Sequence, residues 1–207
     1  LDAHLSDELV GQSSVEEVEV LGRKIWVKHD DQLRLARSGA GGNKARKLFA
    51  LNKIPPEEFP RLVVSHGGPQ SNAMVAVAAV VASKPGARFR YYTKTIPRWL
   101  RRNPSGNLAR ALALGMEMIE VHSSDYAATF GGADGPGQPP QDVVPPGALW
   151  LPQGGAEPGA EEGVSLLGRE ILAFLKEQRR RPRGAGRRST RSETSLGPGR
   201  EARGGRR

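Results

Sequence analysis

The feature that most constrains the fold of this chain is an apolar run, a glycine turn and a second apolar run. Residues 62–64 read Leu-Val-Val and predict a short buried strand, and the alanine- and valine-rich run 73–83 predicts a buried helix. Between them, residues 65–72 read Ser-His-Gly-Gly-Pro-Gln-Ser-Asn. Because backbone N–H groups and the helix dipole both point into such a turn, the pattern predicts an anion-binding site at the start of the helix.

Strands and helices alternate along most of the chain, which predicts an α/β fold with an open, mainly parallel sheet and helices on both faces. A hairpin is predicted from strands 18–21 and 25–28, and a helix from 44–52, ending before Pro55-Pro56. The further expected strands are 88–93, 116–121 and 148–151, and the further expected helices are 106–115 and 163–178.

A second cluster precedes the strand and carries a lysine directly after a glycine turn. Residues 41–48 read Gly-Gly-Asn-Lys-Ala-Arg-Lys-Leu. A lysine amine is a nucleophile only when its pKa is lowered by burial or by nearby cations, and Arg46 and Lys47 lie within one turn of Lys44. Taken alone, these three side chains fit a solvated helix face equally well. A nucleotide-binding phosphate loop is excluded because Ala45 stands where Ser or Thr is required.

Together the two clusters resemble the tryptophan-synthase-β-like, fold type II family of enzymes that use pyridoxal 5′-phosphate (PLP). The resemblance is to the branch of 1-aminocyclopropane-1-carboxylate deaminase and D-cysteine desulfhydrase, which has Gly-Gly-Asn-Lys-x-Arg-Lys-Leu and then, after a strand, Gly-Gly-x-Gln-Ser-Asn. It implies a small domain at about 60–150 and a homodimer when the chain is complete. Where the family commonly has arginine just ahead of the PLP lysine, this chain has His29.

The resemblance implies roles for four residues. Lys44 would form the Schiff base with PLP and carry protons, and Asn72 would bind the cofactor's 3-hydroxyl group. Ser71 would place a hydroxyl beside the substrate, and the N–H groups of Ser71, Asn72 and Ala73 would bind the substrate carboxylate. The local sequence also fits an ordinary helix cap at Ser71 and a turn residue at Asn72. His66 is expected to be a turn or supporting residue.

The activity implied is that of a PLP-dependent lyase or deaminase acting on a small amino acid. Conversion of D-cysteine to pyruvate, sulfide and ammonia fits slightly better than opening of a cyclopropane ring. The resemblance covers about residues 25–178, whereas the family continues into a loop that holds the PLP phosphate and into the rest of the large domain. We therefore expect a truncated member that lacks the C-terminal part of the large domain and holds PLP weakly or is inactive.

Charge divides the chain into three expected segments: a weakly patterned segment 1–15, the enzyme-like region 16–178 and a tail 179–207. The tail holds 11 arginines and two glutamates, so its net charge of +9 equals that of the whole chain. It is too polar to fold and is expected to be disordered. The alternative function is therefore a non-catalytic remnant whose basic tail binds nucleic acid or another acidic partner.

Several classes of protein are excluded by what the sequence lacks. It contains no cysteine, hence no disulfide framework and no cysteine nucleophile. The histidines show no metal-binding spacing with carboxylates, so no metal site is expected. No apolar stretch is long enough to span a membrane and no signal peptide is evident, which favours an intracellular protein.

Overall fold

A computed structural model of the protein describes residues 9–11, 13–131, 142–155 and 159–180. The strands are β1 (Leu9–Val10), β2 (Val15–Val20), β3 (Arg23–Lys28), β4 (Arg34–Leu35), β5 (Leu62–His66), β6 (Arg88–Lys94), β7 (Met116–Val121) and β8 (Leu149–Leu151). The helices are α1 (Asn43–Lys47), α2 (Phe49–Lys53), α3 (Asn72–Ala82), α4 (Arg98–Arg102), α5 (Gly106–Ala113), α6 (Ser123–Phe130) and α7 (Ala160–Arg180), with one 3-10 turn at Asp30–Gln32.

The centre of the fold is a four-stranded parallel sheet in the order β7-β6-β5-β8. Every residue of β5 is buried, as expected for a central strand covered on both faces. Helix α3 follows β5 through the glycine turn and is apolar almost all round, so most of its residues are buried. The predicted α/β class and parallel sheet are thus confirmed.

The two faces of the sheet carry different residues because side chains alternate along each strand. One face bears Val63, Phe89 and Tyr91, which belong to the same apolar core as the residues of α3 and α5. The opposite face bears His66 and Tyr92, which meet the aromatic side chains of α6. Helices therefore lie on both faces of the sheet.

Two further antiparallel pairs precede this sheet. The predicted hairpin is present as β2 and β3, joined by a two-residue turn at Leu21-Gly22. Strand β1 pairs with β4, a contact that the sequence did not suggest. A single helix over 44–52 was expected, but the chain forms two short helices separated at Leu48.

Helix α7 differs from its expected form. It begins at Ala160 rather than at 163 and continues through Arg179 and Arg180, which the sequence had assigned to the tail. The apolar repeat of this helix predicts that Val164 and Ile171 lie on its inner face, yet both are exposed, whereas Gly163 and Leu166 are buried. The reason is that small residues in the first turns of α7 allow this helix to pack closely against α1. A branched side chain at the contact would prevent that packing.

Internal contacts divide the chain into residues 1–171 and 172–207. The first part contains all three sheets and the site described below. The second holds the last turns of α7, and its residues from 181 onwards fall outside the described ones, as do residues 1–8. The expectations for the tail and for most of the segment 1–15 therefore stay predictions. No helix in the described ranges is both long and apolar enough to cross a membrane.

Candidate functional site

A cleft of about 720 Å³ opens between the loop before α1 and the two helices α3 and α5. Its floor along the loop is made of backbone, since residues 39–42 are Gly-Ala-Gly-Gly. At Gly41 an added Cβ would lie 2.7 Å from Nη1 of Arg34, so a larger residue there would displace the Arg34 side chain. The cleft is large enough for a small cofactor or metabolite.

Lys44 lines this cleft from the first turn of α1. Gly42 precedes the helix with a φ of +66°, a left-handed conformation that favours glycine. The Lys44 ammonium lies 3.4 Å from the carbonyl oxygen of Gly154, in the glycine turn after β8. Burial, followed by the nearby cation of Lys47, lowers the pKa of Lys44. Both effects favour the neutral, nucleophilic amine.

Arg46 does not share the exposure expected of a solvated helix face, because its residue is only 1% exposed. Its guanidinium donates to both carboxylate oxygens of Asp30 at 2.7 Å. It also donates to Glu170 at 2.9 and 3.1 Å, and Glu170 is bound in turn by Lys28 at 2.7 Å. The charge of Arg46 is therefore balanced by two carboxylates, and Arg46 does not help to lower the pKa of Lys44.

The pKa values of the two carboxylates follow from these contacts. Burial alone would raise the pKa of Asp30, but hydrogen bonds from Arg46 and Ser13 outweigh it and the pKa is lowered. For Glu170, burial is likewise outweighed by hydrogen bonds from Arg46 and Lys28. Four alternating charges thus form one ion-pair cluster that connects α1 to α7 and to the segment after β3.

Helix α7 also contacts α1 through its backbone. A Cβ added at Gly163 would lie 2.0 Å from the carbonyl oxygen of Arg46 and 2.9 Å from the Phe49 side chain. Only glycine permits this approach. The helix that carries Lys44 is accordingly fixed by a close packing contact as well as by ion pairs.

Ser71 caps the N-terminus of α3, where its hydroxyl oxygen accepts a hydrogen bond from the N–H of Met74 at 3.3 Å. The N–H of Ser71 donates to the Gly68 carbonyl at 3.1 Å. Within the described residues, the N–H groups of Asn72 and Ala73 have no hydrogen-bond acceptor, as is usual for the first turn of a helix. Of the three amides expected to bind a carboxylate, those of Asn72 and Ala73 thus lack an acceptor, but only Asn72 lines the cleft, whereas Ser71 and Ala73 do not.

Asn72 lines the cleft together with Lys44 and Asn107, so residues from both sequence motifs reach one cavity. Its side-chain oxygen accepts a hydrogen bond from Nδ2 of Asn107 at 2.7 Å. Asn107 lies in the first turn of α5, and the same Nδ2 donates to the Gln70 carbonyl at 2.9 Å. The sequence analysis noted the helix but did not assign Asn107 to the site, because its contact with Asn72 joins residues 35 positions apart.

His66 lies outside the cleft, on the opposite face of the sheet. Its ring stacks on Phe130 at 4.6 Å and on Trp150 at 5.3 Å between centroids, and Nδ1 is 2.9 Å from the Tyr126 hydroxyl. Burial lowers the pKa of His66 and keeps the imidazole neutral. His66 therefore does not line the cleft and packs among aromatic side chains behind the sheet.

The charged side chains that line the cleft give it a net positive charge. Arg34, Lys44 and Arg110 contribute cations, and Asp31 is the single carboxylate among the lining residues that the structure describes. One nitrogen of the Arg34 guanidinium is already hydrogen-bonded, since Nη1 donates to the carbonyls of Asp31 and Leu33 at 2.5 and 2.6 Å. A cleft of this charge favours an anionic ligand such as a phosphate or a carboxylate.

Comparisons with known proteins do not identify the chain. No protein-family model matches the sequence, and no curated protein is similar enough to count as a relative. The family resemblance therefore rests on the two sequence motifs alone.

Proposed function

We propose that this chain carries the cofactor site of a fold type II, PLP-dependent lyase or deaminase that acts on a small amino acid. The observation that carries the proposal is the shared cleft, in which a lysine with a lowered pKa and the Asn72 amide line one cavity of positive charge. D-cysteine is the favoured substrate and 1-aminocyclopropane-1-carboxylate the second. The parallel sheet with helices on both faces is compatible with this family.

The residues present fit the cofactor in their chemistry. PLP has an aldehyde that reacts with an amine, a hydroxyl oxygen that accepts hydrogen bonds, and an anionic phosphate. Lys44 offers the amine and Asn72 an amide donor, while Arg34 and Arg110 supply positive charge. The loop presents small residues to the cavity, and the space beside Gly39 and Gly42 is open.

When bound, PLP supplies an electron-withdrawing ring that stabilises negative charge on the substrate carbon next to the amine. Lys44 Nζ would hold the cofactor and, as a free amine, would accept the proton from that carbon. Its lowered pKa leaves Nζ unprotonated more often than an exposed lysine, as both tasks require. Asn72 would orient the ring, and the free N–H groups of Asn72 and Ala73 would bind the substrate carboxylate.

The test is a titration of the purified chain with PLP, followed by borohydride reduction and peptide mass mapping. We expect saturable visible absorbance and a PLP mass added at Lys44, and both should disappear in Lys44→Ala. Lys53→Ala is the matched control, because Lys53 lies on the neighbouring helix, pairs with Glu162 and does not line the cleft. Equal labelling in all three proteins would refute a specific site.

A further inference from the structure

The side chains of Gln70, Asn72 and Asn107 form a small hydrogen-bonded network at the edge of the cleft. Amide oxygen and nitrogen atoms look alike in shape, so their assignment must come from partners whose role is fixed. Backbone groups supply such partners here. The Gln70 carbonyl can only accept and the Asn107 N–H can only donate.

These two backbone groups determine the orientation of every amide in the network. The Asn107 side chain faces the Gln70 carbonyl at 2.9 Å, so the facing atom must be the donor Nδ2. That same Nδ2 lies 2.7 Å from the side chain of Asn72, which must therefore present its acceptor Oδ1. Gln70 is fixed independently, because its Oε1 accepts from the Asn107 N–H at 2.9 Å and its Nε2 donates to the Ser105 carbonyl at 3.1 Å.

The backbone of α5 is shaped to allow this network. Gly106 has a φ of +59°, and a Cβ there would lie 2.6 Å from Oε1 of Gln70. Only glycine both adopts this conformation easily and leaves space for the Gln70 amide. The first turn of α5 is thus built around the side chain that precedes α3.

We propose that Asn107 is a positioning residue that fixes the amide of Asn72 so that Nδ2 serves as the donor available to a ligand in the cleft. Within the described part of the chain, Nδ2 of Asn72 has no protein acceptor, whereas Oδ1 is occupied. The ligand atom recognised is consequently an acceptor oxygen. This inference rests on the proposed function, in which the acceptor is the 3-hydroxyl oxygen of PLP.

The hydrogen bond from Asn107 prevents the Asn72 amide from adopting the reversed orientation. Without Asn107 the amide could turn by half a rotation and present Oδ1 to the ligand oxygen, placing two acceptors against each other. Two opposed acceptors beneath a bound ligand lose a hydrogen bond and leave the ligand oxygen without its donor. The network therefore raises affinity without Asn107 itself contacting the ligand.

Asn107→Asp tests the inference because it keeps the shape and removes the donor. The new carboxylate would draw Nδ2 of Asn72 towards itself and turn Oδ1 into the cleft. An acidic residue in the first turn of α5 is favourable for the helix, so folding should be retained. PLP affinity, measured by absorbance titration, should fall by about tenfold, the loss expected for one hydrogen bond of this kind.

The same substitution in an Asn72→Ala background separates positioning from a structural role. If Asn107 acts through Asn72, then Asn107→Asp should cause no further loss of PLP affinity once the Asn72 amide is gone. Equal losses in both backgrounds would show that the substitution acts independently of Asn72, through the fold or through the added negative charge, which overturns the inference. Thermal unfolding of the proteins without PLP checks that all remain folded.

The possible failures are distinguishable. If the unmodified chain binds PLP at Lys44 and Asn107→Asp binds it equally well, the inference is wrong and the proposed function stands. If the unmodified chain does not bind PLP, the proposed function and the ligand assigned to Asn72 are both refuted.

Discussion

Removing the Arg46 side chain should destabilise the protein more than any comparable change at its surface. In Arg46→Met the four hydrogen bonds to Asp30 and Glu170 are lost while both carboxylates stay in place. The Arg46 side chain is 2% exposed, so water cannot replace it without rearrangement. Methionine fills much of the same volume, which confines the effect to charge and hydrogen bonding.

The magnitude follows from what remains around the carboxylates. Breaking a buried ion pair by removing one partner costs about 3–5 kcal/mol, because a charge is left buried and unpaired. Here Asp30 keeps a hydrogen bond from Ser13 at 2.6 Å, and Glu170 keeps the ion pair with Lys28 at 2.7 Å. We therefore expect the lower end of the range, about 3 kcal/mol in the free energy of unfolding.

Arg101→Met is the matched control. Arg101 also binds a carboxylate with two nitrogens, at 2.6 and 2.5 Å from Glu120, but its side chain is 49% exposed. Exposed pairs contribute little to stability, because water and salt screen the charges. Both variants are compared with the unmodified chain by denaturant unfolding followed by circular dichroism, with linear extrapolation to water.

Acid should reduce the difference between the unmodified chain and Arg46→Met. The pKa values of Asp30 and Glu170 are lowered in the folded protein from ordinary values of 3.8 and 4.5. A lowered carboxylate pKa stabilises the folded state above the ordinary value and loses that effect as pH falls through the folded value. A loss at neutral pH no larger than that of Arg101→Met, or a difference that persists unchanged in acid, would refute the reasoning.

Two other substitutions test the electrostatics of the site and of the opposite face. In Lys47→Gln the cation that helps lower the pKa of Lys44 is absent, so that pKa should rise and the pH midpoint for borohydride-trapped PLP should move upward; an unmoved midpoint contradicts this. In His66→Phe the stack on Phe130 and Trp150 is kept but the buried imidazole is lost. Because burial lowers the pKa of His66, the unmodified chain should lose stability as pH falls below about 6.5, and the variant should lose less; parallel pH profiles from thermal unfolding would contradict this.

The central sheet could be predicted from the sequence because its signals are local. Strand β5 and helix α3 are uninterrupted apolar runs on either side of a glycine turn, and such runs indicate burial wherever they occur. Helix α6 was not predicted, since its eight residues mix serine, aspartate and aromatic side chains without a helical apolar repeat. Its aromatic residues pack against His66 and Tyr92, partners that lie far away in the chain.

The site shows the same division between local and distant signals. Lys44 and Asn72 stood out because each lies in a dense, recognisable motif. The buried ion pairs of Arg46 were not predicted, because its two partners are 16 and 124 residues away and no local pattern indicates them. Asn107 was missed for the same reason, as the sequence shows only the start of a helix.

The distance between Arg46 and Glu170 also sets an order of events during protein synthesis. The two residues are separated by 124 positions, and a ribosome adds about 5–20 residues per second, so about 6–25 s pass between their synthesis. During that interval Arg46 can bind only Asp30, which is made earlier. The helix that carries Lys44 thus leaves the ribosome early, but its ion pair with Glu170 forms only after α7 has been made. The arrival of α7 therefore completes the ion-pair cluster behind the site.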